Sequence, residues 1–270
     1  MTLYDFTAEH TEAEWLFDWF EHAPEPARSV LGTGTLRIGA VVVTSMANDP
    51  VSFWNKALGF DRPVDEATVR RIVQHYREQG SGSAVLQIAP ALIPADWPDI
   101  CRTFGLTAGN PWVKLAGSSA AHYEPTPGLR ADSVPPEDLD EWADVVFQGY
   151  GMPTEHLPSI AAASARRGAI EAFGVWHGST LVAGASLARI GDVGALLGVS
   201  TLPAYRGRGA QSALIAIRAR AARVSGVRRL IAETGRPAVE GGNPSLNNLM
   251  RAGLTPIYDR TTWNWTNPDV

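Results

Sequence analysis

The sequence predicts an α+β (mixed α/β) fold, in which helices flank a mixed sheet, and it predicts two related domains in tandem. Three observations lead to this prediction. Apolar segments in the second half are separated by Gly178-Ser179 and Gly191-Asp192, which are typical of hairpin turns. A strand, a glycine-rich turn and a long helical pattern follow them. Part of this order of elements also occurs in the first half.

In the second half, the first elements are a short strand and two helices. The strand is predicted over 129–134, and Pro135 to Asp138 open a helix with Pro and acids in its first turn. Apolar side chains at helical spacing continue that helix from Leu139 to Val146. A second helix is predicted over 155–167.

The remaining elements of the second half alternate between strands and helices. Three strands come first, and each of the two helices that follow leads into further strand. The predicted strands are 171–177, 181–189, 193–201, 228–233, 254–259 and 261–265. The predicted helices are 209–224 and 244–251, the latter ended by Ala252-Gly253.

The first half repeats the later part of this plan. A helix over 64–79, a strand over 84–89 and a helix over 97–104 have counterparts about 145–148 positions later. Chance is the alternative, since few residues match and the element order supports the repeat. The segment 116–128 is small, polar and proline-containing, as in linkers. We therefore expect domains at 1–117 and 129–270 with a linker at 118–128.

Composition restricts the class of protein. No apolar run of the 270 residues approaches the about 20 residues of a membrane helix, and the N-terminus lacks a signal-peptide pattern. The single cysteine, Cys101, excludes an intrachain disulfide and a cysteine-based zinc site. A net charge of −5 argues against nucleic acid as the main partner. We expect a cytoplasmic protein that uses no membrane and no metal.

The most informative segment is 199–214, a strand end followed by a basic, glycine-rich turn and a helix. Gly207 and Gly209 allow the backbone to approach a ligand closely, and the orphan N–H groups at the helix start favour an anion. Arg206 and Arg208 add positive charge. The pattern predicts a site for a phosphate or pyrophosphate.

Two known phosphate motifs fit this segment poorly. A P-loop needs a Gly-Lys pair, and the segment has none. A dinucleotide fingerprint, G-x-G-x-x-G, needs a third Gly where Ser212 stands, although Glu233 lies at a plausible distance for its acidic residue. A dinucleotide-dependent oxidoreductase is therefore a weaker alternative.

The segment resembles the acyl-coenzyme-A signature of the GNAT superfamily, the general-control-related N-acetyltransferases. That signature is [Q/R]-x-x-G-x-[G/A], usually preceded by V-x-P-x-[Y/F]. Arg206 and Gly209 match it, and 203–205 match the preceding motif, while Gln211 and Thr201 depart from it without removing a backbone donor. The resemblance covers about residues 129–266 and implies a GNAT-like mixed sheet. The first half lacks the Gly-x-Gly turn at the equivalent positions, 59–63, so we expect no coenzyme there.

The resemblance implies acetyl-CoA as co-substrate. The end of the strand at Thr201 would splay from its neighbour, bind the pantetheine arm and present one N–H to the thioester oxygen. The following turn would hold the pyrophosphate, with help from the Asn-containing helix. The residues expected to bind the coenzyme are Val199, Ser200, Thr201, Arg206, Gly207, Arg208, Gly209, Ala210, Gln211, Ser212, Asn243 and Asn248.

Two residues are candidates for moving protons. Glu233 ends a strand beside the splayed one and is the candidate base, with pairing to Arg236 as the structural alternative. In many GNATs a Tyr four residues before the helix-ending Gly protonates the leaving thiolate, and here Leu249 occupies that position. Tyr258 is a substitute acid or a core aromatic.

These features predict an N-acetyltransferase that moves acetyl from acetyl-CoA to a primary amine by direct attack. The amine is expected on a small molecule, or else on a protein, and the enzyme is expected to be a monomer or a homodimer. A non-catalytic acyl-CoA-binding or regulatory module is the first alternative, because the usual Tyr is missing.

Overall fold

The computed structural model describes residues 6–119 and 128–269, which divide into two compact units. Unit 1 comprises Met1–Val113 and Tyr258–Val270, and unit 2 comprises Lys114–Ile257. Most of the predicted linker, at 120–127, lies outside the described residues. The predicted bounds of the two sequence halves stay a prediction, since these units are divided at other positions.

Unit 1 is built on a sheet whose strands are mostly antiparallel. Strand β1 pairs antiparallel with β2, β2 with β3, and β4 with β11, whereas β3 and β4 are parallel. The strands are β1 (Thr33–Ile38), β2 (Val41–Met46), β3 (Lys56–Leu58), β4 (Ser83–Gln87), the first part of β5 (Thr107–Ser118) and most of β11 (Thr255–Thr266). The helices are α1 (Thr7–Glu21), α2 (Ala27–Leu31), α3 (Glu66–Glu78) and α4 (Trp97–Phe104).

Helix α3 connects the parallel pair of unit 1. Its N-cap Asp65 accepts a hydrogen bond from the Thr68 N–H, which satisfies one orphan donor of the first turn. Val69, Ile72 and Tyr76 are buried at helical spacing. They pack in one core with aromatic side chains of α4 and β11, among them Trp97 and Trp265.

A buried ionic cluster joins α1 to β11 in unit 1. Arg260 is 0% exposed and its guanidinium bonds Glu9 at 2.5 Å and Glu12 at 2.9 Å. The Gln87 side-chain oxygen accepts from the same group at 3.2 Å. The Tyr258 hydroxyl donates to Glu9 Oε1 at 2.6 Å. Because each charge has an opposite partner, the cluster is tolerated inside the unit.

Unit 2 likewise combines antiparallel pairings with a parallel pair. Strands β6 to β9 pair antiparallel in chain order, and β9 and β10 are parallel with α7 between them. The strands are β6 (Arg130–Ser133), β7 (Glu171–His177), β8 (Thr180–Ile190), β9 (Val193–Thr201) and β10 (Arg229–Gly235). The helices are α5 (Leu139–Tyr150), α6 (Leu157–Arg166), α7 (Ala210–Val224) and α8 (Pro244–Arg251). No helix in the described ranges 6–119 and 128–269 is both long and apolar enough to cross a membrane.

The predicted α+β class is confirmed, with a large mixed sheet and flanking helices. Several predicted elements have the observed bounds, namely β7, β9, α4 and α8. The two predicted strands at 254–259 and 261–265 are wrong, because one strand, β11, runs through 255–266. No turn residue separates them, and the buried side chain of Arg260 belongs to the continuous strand.

The two halves of the sequence repeat one order of elements. In each, a parallel pair is connected by a helix and is followed by an eight-residue helix and a twelve-residue strand. The neighbour of β4 beyond the parallel pair is β11, and the neighbour of β10 is β5. The end of β5, from residue 114, therefore belongs to the unit built mainly from the second half, and most of β11 belongs to the unit built mainly from the first half.

Replacing Arg260 tests the buried cluster. In R260M, Glu9 and Glu12 would lose their buried counterion, and we expect the free energy of unfolding to fall by about 3–5 kcal/mol. The measurement is chemical denaturation. The control is R102M, since the ion pair of Arg102 with Asp99 is exposed and its loss is expected to cost at most about 1 kcal/mol. Equal losses in the two variants would contradict the role given to the cluster.

The buried His75 predicts a pH dependence of stability. Its Nε2 lies 3.1 Å from the Ser45 hydroxyl. Desolvation lowers the pKa of His75, while Glu78 opposes the shift. The unfolded chain therefore binds this proton more readily, so stability falls as the pH drops below about 6.5. We expect H75Q to lose less stability than the wild type between about pH 7.5 and about pH 5.5, as measured by urea denaturation. A slope in H75Q equal to that of the wild type would contradict the assignment to His75.

Candidate functional site

Strands β9 and β10 of unit 2 separate part way along their length. Their parallel pairing covers three residue pairs and ends at Ile231 with Ala195. Beyond that point β9 continues to Thr201 and β10 to Gly235. This is the splay expected at the end of the strand. It leaves backbone groups of β9 without a partner on β10, beside the glycine-rich turn.

A bulge lies in the unpaired part of β9. Gly184 of β8 pairs with Ser200, and Ser186 pairs with Leu197, so Gly198 and Val199 together oppose a single residue. Gly198 has φ of +52°, a conformation that glycine adopts without strain. The bulge changes the direction of the backbone at the predicted acyl site.

Arg218 of α7 fixes this bulge from inside unit 2. Its side chain is 1% exposed, and Nη1 donates to the carbonyls of Ser186 at 3.0 Å and Leu197 at 3.2 Å. Its Nε donates to the carbonyl of Leu214 at 2.9 Å. Burial lowers the pKa of Arg218 to about 9, which still leaves the guanidinium charged at neutral pH. The side chain therefore holds carbonyls on both strands next to the bulge.

The end of α5 lies against the end of β9. A Cβ at Gly149 would overlap Ser200 Oγ, so only glycine allows this approach. The Ser200 hydroxyl donates to the carbonyl of Val146 at 2.7 Å. Arg206 donates to the carbonyls of Thr201 at 3.2 Å and Gly149 at 2.7 Å. The side chains of Ser200 and Arg206, both predicted to contact coenzyme, thus have structural partners of their own.

The glycine-rich turn presents backbone donors at the start of α7. Gly207 and Gly209 have φ of +75° and +85°. The Ala213 N–H donates to the Gly209 carbonyl, so the N–H groups of residues 210–212 precede the first intrahelical bond. Arg208 is exposed, with its guanidinium 5.4 Å from the Tyr205 ring centre. This part of the predicted site has its donors and its positive charge together.

Polar side chains that are predicted to contact the coenzyme form hydrogen bonds at helix α8. Gln211 donates to the Ser245 hydroxyl at 2.8 Å and accepts from Asn248 at 2.6 Å. Asn243 is the N-cap of α8: its Oδ1 accepts from the Ser245 and Leu246 N–H groups. Its amide nitrogen donates to Thr234 and to the Gly235 carbonyl. These contacts place Gln211 and Asn248 against each other and give Asn243 a capping role.

The candidate base has a partner that sequence reasoning missed. Glu233 Oε2 lies 3.3 Å from Lys114 Nζ, and the side chains are 17% and 2% exposed. Lys114 lies on β5, in the segment that belongs to unit 2. The predicted alternative partner, Arg236, follows β10. No local signal links Lys114 to Glu233, because 119 positions separate them.

The usual position of the proton donor and the substitute candidate, Tyr258, lie in different units. Leu249 is buried in unit 2, where the resemblance would place a Tyr. Tyr258 belongs to unit 1 and packs on its core. Burial, and next the neighbouring Glu9, raises the pKa of Tyr258. The predicted role of Tyr258 as acid therefore competes with a hydrogen bond that its hydroxyl already makes.

The equivalent turn of unit 1 is filled by protein. A Cβ at Gly59 would lie 2.6 Å from Ala13 Cβ and 2.9 Å from the Ala40 carbonyl oxygen. Phe60 and Val64 are buried in the same core. Protein atoms therefore occupy the space beside Gly59 in this turn. Within the described part of the chain, no group of three or more His, Cys, Asp or Glu side chains is placed to hold a metal ion.

Several solved structures that share this fold are named as members of the GNAT family. A GCN5-related N-acetyltransferase from Kribbella flavida is 17% identical, with 96% of this chain and 95% of that chain covered and a TM-score of 0.63. One from Sphaerobacter thermophilus is 15% identical, with 86% and 82% covered and a TM-score of 0.60. A tandem GNAT protein from the clavulanic acid biosynthesis pathway is 14% identical, with 97% and 96% covered and a TM-score of 0.57. At these identities the likeness concerns the fold.

The sequence itself matches one family model. No curated protein matches this chain at a significant level. Residues 136–240 match the acetyltransferase (GNAT) family, and they include α5, β9, the glycine-rich turn, α7 and β10. The mixed sheet of unit 2, with one parallel pair, also differs from the parallel sheet of a dinucleotide-binding fold. The chain therefore carries a domain of the GNAT acetyltransferase family.

Proposed function

We propose that this chain is a cytoplasmic N-acetyltransferase that moves acetyl from acetyl-CoA to a primary amine by direct attack. The observation that carries the proposal is the splay of β9 from β10 beside the glycine-rich turn. It places unpaired backbone of β9 next to a cluster of N–H donors in one unit. The acceptor is a small-molecule amine or, as the second choice, an amine of a protein.

The turn and the start of α7 suit a pyrophosphate. The N–H groups of residues 210–212 lie at the positive end of the helix dipole, where anions are stabilised. The two glycines keep side chains out of the way, and Arg208 adds an exposed positive charge. The guanidinium of Arg206, also predicted to contact the coenzyme, connects the turn to β9 and α5.

The splayed part of β9 suits the acyl end of the co-substrate. An extended pantetheine arm bonds to backbone in the way a strand does, and the unpaired groups from Leu196 to Val199 offer that edge. A backbone N–H near Val199 would donate to the thioester oxygen as negative charge develops there. Because Arg218 fixes the bulge, these donors are in place before the reaction.

Glu233 is the proposed base. The amine nitrogen attacks the thioester carbon, the carbon–sulfur bond breaks, and the carboxylate of Glu233 takes the proton that the amine loses. The departing thiolate resembles a cysteine thiolate, whose ordinary pKa is about 8.5, so it leaves without a strong acid beside it. The absence of a Tyr at Leu249 therefore leaves the reaction feasible, with solvent protonating the thiolate.

A non-catalytic acyl-CoA-binding module is the second candidate function. The observation that favours it is the buried Leu249 at the position of the usual proton donor. The two functions share the coenzyme site and differ in turnover. Calorimetric titration with acetyl-CoA, followed by release of free CoA across a panel of primary amines, separates them. Binding without any transfer would support the module and contradict the proposed enzyme.

The coenzyme site is tested by R208E. A carboxylate beside the phosphates is expected to weaken acetyl-CoA binding by about tenfold or more, because it replaces an attraction with a repulsion. Arg208 is exposed, so the change is expected to leave the fold intact. Isothermal titration calorimetry gives the Kd. R220E, an equal charge change at an exposed position of α7, is the control and should bind like the wild type. An unchanged Kd in R208E would contradict the assignment of the glycine-rich turn to the coenzyme site.

The base is tested by E233Q. We expect kcat/KM for the best amine to fall by roughly 10²–10⁴, while the Kd for acetyl-CoA stays unchanged. Rates are compared well below the melting temperature of each variant, since the amide leaves Lys114 without its charged partner. E240Q changes an exposed acid of the following loop and should keep full activity. Equal activity in both variants would show that Glu233 is not the base.

A further inference from the structure

The chain has two lysines, and both are buried. Of its 23 Lys and Arg residues only Lys56 and Lys114 are lysines, and they are 7% and 2% exposed. Arginine serves at every other cationic position. A buried ammonium group is retained only where an opposite charge or an aromatic face stabilises it. Lys56 lies over the ring of Phe53, and Lys114 pairs with Glu233.

Lys114 reaches the candidate site on a strand from the first half of the sequence. The segment Lys114–Ser118 of β5 belongs to unit 2 and is firmly attached there. The Thr255 hydroxyl donates to the Ala116 carbonyl at 3.3 Å, and a Cβ at Gly117 would lie 3.1 Å from the Gly253 carbonyl oxygen. The family match begins at residue 136, so Lys114 lies outside it.

The elements beside Glu233 carry few other charged side chains. Strand β9 contains no charged side chain, and Lys114 is the one charged residue of the segment 114–118. Strand β10 itself carries Arg229 at its start and is followed by Arg236. Arg251 of α8 donates to the side chain of Asn248. The buried ammonium of Lys114 is in direct contact with the carboxylate.

We propose that Lys114 is a positioning residue for Glu233, and that the first half of the chain thereby completes the base site of the second. The ammonium keeps the carboxylate ionised and fixes its place on β10. This inference rests on the proposed function for its catalytic consequence, whereas its electrostatic part concerns Glu233 whatever the reaction is. Removing the cation is expected to stabilise the protonated form of Glu233.

The test is a titration of the Glu233 carboxyl in the full-length protein. Carbon-13 NMR on glutamate labelled at Cδ, with the signal assigned by its loss in E233Q, gives the pKa. In K114M it is expected to rise by about one unit or more, and in K114R it should stay near the wild-type value. The matched control is K56M, which removes the other buried lysine and should leave the Glu233 pKa unchanged. An unchanged pKa in K114M would overturn the inference.

Two additions keep the outcome decisive. If K114M does not fold, K114Q replaces it, with the same expected rise in pKa and the same contradicting result. The pH profile of kcat/KM for acetyl transfer is measured in parallel, and its acidic limb should move to higher pH in the neutral variant. If the wild type shows no acetyl transfer, the proposed function fails. The titration still shows whether Lys114 controls the pKa of Glu233. A raised pKa with an unmoved limb would overturn the catalytic role of both residues.

Discussion

The structure of the site depends on the buried guanidinium of Arg218. Its donors hold carbonyls of β8 and β9 next to the bulge, and each would cost about 1–3 kcal/mol if left unpaired in the interior. The charge is buried without a carboxylate among its hydrogen-bond partners, so the carbonyl dipoles of Ser186, Leu197 and Leu214 supply its stabilisation. Arg218 thus connects α7 to the bulge in the part of β9 that has no partner on β10. The end of α5 adds a second fixed point at Gly149, and the strand end has little freedom to close.

Local signals in the sequence were sufficient for the elements around the site. Glycine turns and a proline fixed the bounds of β7, β9 and α8, and the Gly-x-Gly turn located the start of α7. Arg218, Gly149 and Lys114 were not found, because each acts on a partner tens of positions away. Arg218 has the spacing of any helical arginine, and its burial depends on the bulge above it. The exchange of β5 and β11 was equally hidden, since both are twelve-residue strands after similar helices.

The two units show how one plan can keep or lose a site. Both have a parallel pair connected by a helix, but the pair in unit 1 begins from a strand of three residues. The turn after it is packed by α1, with Gly59 against Ala13, and Phe60 enters the core. In unit 1 the buried charges of the cluster around Arg260 fix α1 to the sheet. Packing there has replaced the open donors that unit 2 retains.

The first half of the sequence contributes to unit 2 through the end of strand β5. Without β5, strand β10 would present an edge of unpaired N–H and C=O groups, which invites pairing with other chains. Glu233 would also lose the ammonium that lies 3.3 Å from it. The segment that matches the family model lacks both contributions. Because the end of β5 belongs to unit 2 and most of β11 to unit 1, neither half of the sequence contains a whole unit.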